Sequence, residues 1–309
     1  MINLESKIFI AGHNGMVGKS ILNKLKNSGF NNIFTISRKE LDLTDQSLVD
    51  KYFSDNNFDL VINAAAKVGG INANNSYPYD FLYQNLQIQN NLINSSYKFN
   101  VYKFIFLGSS CIYPKLSPQP IKEEYLLTGK LEETNKWYAI AKISGLMMCQ
   151  AINKQFNKNF ICLMPTNLYG PNDNFDLESS HVLPAMIRKF HESKIYGNNK
   201  VTLWGDGSPY REFLHVDDLA NAVLFSIENE LNNTIYNVGF GSDITIHDLA
   251  ILVKDIINKD SKISWNNSKP NGTPRKLIDS SKLLSLGWKP KIKLKDGIKE
   301  VYEWYKENY

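Results

Sequence analysis

Cysteine is scarce in this chain: Cys111, Cys149 and Cys162 are the only thiols in 309 residues. An odd count without metal-ligand spacing excludes a paired disulfide framework and a cysteine-built metal centre. No apolar run reaches the roughly 18 residues of a membrane helix, and the first residues do not read as a secretory leader. The expectation is a protein of a reducing cytoplasm, apart from any membrane. Charge of one sign is lacking too. The 35 Lys+Arg against 31 Asp+Glu leave +4, and no block of like charges interrupts the chain. A dedicated nucleic-acid binder carries a denser basic stripe. The small surplus suits an anionic small molecule instead. Internal repeats and low-complexity tracts are also missing, so a solenoid or a disordered tail is not expected.

What is present is a rhythm of short apolar runs and longer amphipathic segments. Lys7–Ala11 reads as a buried first strand that ends at a glycine turn, and Met16–Ser28 has helical periodicity and stops at Gly29. Further strands are expected at Asn32–Ile36, Asp59–Ala64, Lys103–Gly108 and Phe160–Met164, with long helices over Tyr79–Phe99 and Trp137–Phe156. Strands alternating with helices imply an α/β fold with a parallel, doubly wound sheet. After Pro165 proline and glycine become frequent, and Thr234–Val238 could return a strand to the main sheet. The expected organisation is a nucleotide-binding domain over residues 1–165 with a returning segment near 211–240. A smaller α/β substrate domain, interleaved with it, takes 166–309.

Two local patterns carry chemistry. Gly12, Gly15 and Gly18 follow the first strand and open a helix. Such a turn brings backbone close to a pyrophosphate at a helix N-terminus, where free N–H groups favour anions. Tyr138 and Lys142 stand four apart, hence on one helical face. A lysine there can lower a phenol of ordinary pKa ~10 toward neutrality, which makes an acid or base for carbonyl–alcohol interconversion. Arg38 follows the second strand, where an NAD enzyme usually has an acidic residue. Its fork of donors suits a 2′-phosphate, so NADP(H) is the expected cofactor. Ser109 and Cys111 lie at a strand's carboxyl end, where a catalytic loop would sit. Cys111 reads either as a small buried hydrophobe or as a base for a carbon acid. His181, entering an apolar helix, reads as a cap or surface residue unless a partner base stands nearby.

At this point seven blocks coincide with a known family: F-I-A-G-H-N-G-M-V-G, A-A-A-K-V-G-G-I, F-L-G-S-S-C-I-Y-P-K, Y-A-I-A-K, M-P-T-N-L-Y-G-P, R-E-F-L-H-V-D-D and K-P-N-G-T-P-R-K, spread from Phe9 to Lys276. The chain closely resembles the GDP-L-fucose synthases, extended short-chain dehydrogenase/reductases. The resemblance implies a homodimeric NADPH-dependent epimerase/reductase of a GDP-linked 4-keto-6-deoxy sugar. By the same resemblance Cys111 matches the base and His181 the acid of C3/C5 epimerisation. Tyr138 would then protonate the C4 oxygen, with Ser109 orienting it and Lys142 tuning the phenol. The implied cofactor contacts are Gly12, His13, Asn14, Gly15, Met16, Val17, Gly18, Arg38, Leu107, Gly108, Lys142, Pro165, Thr166, Asn167, Leu168 and His181. The implied substrate contacts are Lys189, Trp204, Arg211 and Asn271. Asn14 replaces the family's usual arginine and Asn271 its usual aspartate. Two further readings remain open: reduction at C4 alone, on a related GDP-4-keto-6-deoxy-heptose, and a non-catalytic NADP sensor on the same fold.

Overall fold

A computed structural model of the chain describes residues 2–309. β1 (Ile8–Ala11) runs through the glycine turn into α1 (Met16–Asn27), and β2 (Ile33–Phe34), α2 (Gln46–Asn56) and β3 (Leu60–Asn63) follow. α3 (Ile71–Ser76), α4 (Pro78–Lys98), β4 (Lys103–Leu107), α5 (Lys136–Phe156) and β5 (Asn159–Pro165) continue the alternation. The chain then leaves through β6 (Asn167–Tyr169), α6 (Val182–Ile195), β7 (Lys200–Trp204) and β8 (Tyr210–His215). It returns by α7 (Val216–Glu228) to β9 (Ile235–Val238), which pairs in parallel with β5. The main sheet is therefore six-stranded, in the order β2-β1-β3-β4-β5-β9. Its order reverses at β1, so the crevice between the ends of β1 and β3 is where a ligand is expected.

Strand alternation splits this core cleanly. Ile8, Ile10, Ile62, Ile105 and Leu163 face α1 and α7, through Ile21, Leu25, Leu219 and Val223. Phe9, Val61, Phe104, Phe106 and Phe160 face the other layer, through Val49, Phe53, Leu92 and Leu146. A strand buried on both faces reads as a continuous apolar run, which is why these strands were evident in the sequence. The second strand is shorter than expected, because it is an edge paired only with β1. Beyond it the chain turns at once, Ser37 donating its N–H to the Glu40 carboxylate. α2 had no strong periodic signal. It buries only Val49 and Phe53 and starts at Asp45, whose carboxylate accepts from the N–H groups of Ser47 and Leu48.

The final stretch of the chain adds β10 (Asp243–Thr245), α8 (Ile246–Ile257), β11 (Lys262–Asn266), β12 (Arg275–Lys276), α9 (Ser281–Ser285) and α10 (Leu294–Asn308). β8 is the hub, pairing with β6, β10 and β12. Leu183, Ile187, Phe190, Leu249, Val253, Ile298 and Val301 form a third core beside it. After Arg211, the polar residues of the R-E-F-L-H-V-D-D block turn out to be largely scaffolding. The Glu212 carboxylate accepts from the N–H groups of Gly241 and Ile278, His215 caps α7, and Asp218 accepts from those of Lys291 and Ile292. Among the described residues no helix is long and apolar enough to cross a membrane.

Candidate active site

A cavity of about 860 Å³ runs past the carboxyl ends of β1, β3, β4 and β5 toward Trp204 and Arg211. Its floor is backbone. Gly12 has φ +85°, and a Cβ on it would stand 2.6 Å from the Ala65 nitrogen. A Cβ on Gly18 would collide with the Gly12 carbonyl, whereas one on Gly15 would meet nothing nearer than 3.6 Å. The outer two glycines thus permit the turn, and the middle one leaves its backbone open to the cavity. α1 starts at Gly15 with no side-chain cap and no acidic residue in its first turn. Its first N–H groups are free for an anion, and the buried His13 Nδ1 beside them has no partner. These features fit a dinucleotide. At the far rim Arg38 lines the cavity, while the Glu40 and Asp42 carboxylates are held by Ser37 and Thr44.

The catalytic candidates converge on one wall. Ser109 Oγ accepts from the N–H of Cys111, starting a short 3₁₀ turn after β4. Two donors meet the Cys111 sulfur: Asn135 Nδ2 at 3.4 Å and Lys276 Nζ at 3.5 Å. Burial raises the thiol pKa, but the Lys276 ammonium and the Ser109 hydroxyl outweigh it and hold the thiol below its ordinary value. His181, the N-cap of α6, opens onto the same cavity with no capping bond. Close surroundings, then Lys276, push its imidazolium pKa down. The segment before it rests on Gly70, whose N–H donates to the Ser179 carbonyl at 2.9 Å. A Cβ on Gly70 would strike the Ser180 carbonyl, which accounts for the second glycine of the K-V-G-G block.

One expectation is corrected. Lys142 was to lower the phenol of Tyr138, yet burial pushes Tyr138 well above its ordinary pKa. The Lys142 ammonium donates to the Leu107 carbonyl at 2.8 Å and stands 5.8 Å from the Tyr138 ring centroid. Burial brings Lys142 itself down to about 8. Lys142 and Leu107 lie beneath the cavity wall, whereas every other sequence-based site residue lines it. Leu107 supplies the carbonyl that anchors Lys142.

On the opposite side, Lys189 donates to the Thr202 carbonyl at 2.9 Å, and Arg211 donates to the carbonyls of Tyr210 and Asn271. Asn271 Oδ1 accepts from the N–H of Asp206 at 3.1 Å, an acceptor role an aspartate would fill equally. Lys269 Nζ lies 4.9 Å over the Trp204 ring. Sequence reasoning missed Asn135, Lys269, Lys276 and Asp173. Asp173 lines the cavity with one carboxylate oxygen unpartnered, and burial takes its pKa up to about 7. Lys276 stood inside a quoted block, but nothing local to it signals that it reaches a thiol 165 residues away.

A glycine cradle at the switch point, with a serine just after β4 and a tyrosine and a buried lysine on α5, is the site of a nucleotide-dependent sugar oxidoreductase or epimerase. The chain belongs to the NAD dependent epimerase/dehydratase family, whose model matches residues 8–239. Within it the chain groups with the GDP-L-fucose synthases. It is 55% identical over 308 residues to GDP-L-fucose synthase 1 of Arabidopsis thaliana, covering 100% of this chain and 95% of that protein. With the GDP-L-fucose synthase of Escherichia coli it shares 46% over 313 residues, covering 98% of each. A solved structure described as MlghC, a GDP-mannoheptose C4 reductase from Campylobacter jejuni with NADP bound, superposes with a TM-score of 0.91. Its identity is 41%, over 99% of this chain and 100% of that one.

Proposed function

We propose that the chain is an NADPH-dependent epimerase/reductase that converts GDP-4-keto-6-deoxy-D-mannose to GDP-L-fucose. The observation that carries this reading is a cysteine whose sulfur meets Lys276 and Asn135, on the same cavity wall as Ser109 and Tyr138. Reduction alone has no use for a polarised thiol there. A 4-keto group acidifies the hydrogens on C3 and C5. Cys111 removes one, leaving an enolate whose charge sits on the C4 oxygen beside the hydroxyls of Ser109 and Tyr138. His181 reprotonates from the other face, and the anionic enolate favours the charged imidazolium it needs. Bound NADPH supplies the hydride to C4. The protonated Tyr138, on the cavity wall, gives its proton to the C4 oxygen, a role that its raised pKa favours.

The Gly12–Gly18 backbone and the start of α1 hold the pyrophosphate, and Arg38 takes the 2′-phosphate. With Asn14 in place of arginine, that charge falls to Arg38. Pro165, Thr166, Asn167 and Leu168 flank the nicotinamide end, while Lys189, Trp204, Arg211 and the Asn271 segment receive the nucleotide of the sugar. The enzyme works as a homodimer in the cytoplasm. Exposed Tyr79, Tyr83, Trp137 and Ile140, near the starts of the packed helices α4 and α5, offer an apolar face to a second copy. The three free thiols suit a reducing compartment.

The test is incubation with NADPH and GDP-4-keto-6-deoxy-D-mannose in D₂O, followed by NMR of the product. GDP-L-fucose labelled at C3 and C5 is expected. A sugar reduced at C4 without solvent label would make the chain a C4 reductase, as the Campylobacter jejuni structure is described.

A further inference from the structure

The proposed reaction inverts two centres with one thiol. After the first inversion the sulfur holds the proton it removed, and it must lose that proton before it can act again. On its cleft side lies the sugar from which the proton came. Beside it is a small chamber of about 10 Å³ that adjoins the cleft, roughly the space for one water molecule. Cys111, Lys115, Glu132, Asn135, Thr273 and Lys276 line it, and all of these except Lys115 also border the main cleft.

The polar groups around this chamber are arranged for a bridging water. Asn135 donates to the sulfur with its Nδ2, while its buried Oδ1 has no partner. Buried amide oxygens are rarely left without a donor. Glu132 is 8% exposed, accepts from Thr273 Oγ1 at 3.4 Å, and pairs with the Lys115 ammonium at 2.9 Å. Lys115 is 40% exposed and does not line the main cleft, so the pair leads from the chamber to solvent. Burial would raise the Glu132 carboxyl, but Lys115 outweighs it and keeps the group ionised, ready to accept.

We propose that this chamber is a proton port through which Cys111 is returned to the thiolate between the two inversions, with Glu132 as the relay. The port rests on the reading of Cys111 as the carbon base. The S–H bond breaks and its electrons stay on sulfur. The bridging water takes that proton and passes one of its own to a Glu132 oxygen. Glu132 then releases a proton to bulk solvent beside Lys115. The proton lost here balances the one that solvent supplies through His181.

The experiment follows solvent deuterium into the keto sugar on NADP⁺-loaded enzyme, by rapid quench and mass spectrometry. Wild type should incorporate two deuterons in a single phase. Glu132→Gln keeps the length and the acceptor but cannot carry a proton. It should admit one deuteron per active site near the wild-type rate, then a second at least about tenfold more slowly. Added imidazole buffer should restore the second phase, which a packing defect would not allow, and Glu132→Asp should lie between. Unchanged NADP⁺ affinity checks the fold. Two deuterons at the wild-type rate in Glu132→Gln would overturn the port and leave Cys111 as base. A first phase already slow and deaf to imidazole would overturn it too, by making Glu132 structural. No deuterium in wild type would remove the base and the port together.

Discussion

Cys111, half-buried on the cavity wall, and Cys162, buried in the sheet, each have a lysine nearby, and they end in opposite states. Cys162, in β5, is fully buried. Burial and the neighbouring Cys149 drive its pKa far up, and Lys142 does not reverse this. Around Cys111 the Lys276 ammonium does reverse the effect of burial. The difference lies in where each ammonium points. Lys142 gives its hydrogen bond to the Leu107 carbonyl, in the interior. Lys276 reaches the sulfur itself. Enclosure and a nearby cation are therefore not sufficient for a reactive thiol. Direct contact decides it.

Removing each thiol gives the widest contrast. Cys111→Ala should abolish deuterium exchange at C3 and C5, a loss of ~10²–10⁴-fold or more for an acid–base group. Cys162→Ala should leave exchange within a few-fold of wild type. Equal losses would erase the distinction. Tyr138 is a third acid, with no cation at its oxygen. Tyr138→Phe should cut C4 reduction by ~10²–10⁴-fold while exchange continues, and a variant that still reduces the sugar at a similar rate would remove Tyr138 from the proton-donor role.

A smaller effect tests the cause of the contrast. Lys276→Met withdraws the charge that lowers the Cys111 pKa, so the thiol pKa should rise. The acid limb of the exchange–pH profile should move to higher pH, with exchange at pH 7 falling about tenfold. An unmoved limb would show that the ammonium is not the cause. Thermal unfolding is expected to separate the thiols again, modestly: Cys162→Ala should cost about 1 kcal/mol, and Cys111→Ala less, because its site opens on the cavity. The smallest expected change is at the other end of the cleft. Arg38→Ser should lower the NADPH-over-NADH preference in kcat/KM by about tenfold, the worth of one charge-assisted hydrogen bond. An unchanged ratio would take the 2′-phosphate away from Arg38.

The two ends of the cleft also differ in how far the sequence discloses them. The cofactor end is continuous: a buried strand, three glycines and an uncapped helix within residues 8–27, all of it written in local periodicity and turn chemistry. Thr234–Val238 likewise announced a strand, and β9 does rejoin the main sheet. The sugar end is assembled from distant pieces. Lys276 acquires its place only because the two-residue β12 pairs with β8, Lys276 opposite Arg211. No periodic signal exists in two residues. Lys142 was legible as a partner of Tyr138 by spacing, but spacing does not reveal that its ammonium turns toward Leu107. Asn135 escaped notice because a 3₁₀ turn, capped by Glu132 and with no amphipathic pattern, carries it to the sulfur.

The long loop between thiol and ammonium has a consequence for the order in which the protein matures. Synthesis proceeds at roughly 5–20 residues per second, so the 165 residues separating Cys111 from Lys276 represent roughly ten to thirty seconds on the ribosome at that pace. β1 to β4 precede Cys111 in the chain, and during that interval β5 and later β9 complete the main sheet while the cation that sharpens the sulfur has not yet emerged. A nascent chain thus carries an ordinary, sluggish thiol through its most exposed period, and gains a nucleophilic one only when nearly all of its length is in place.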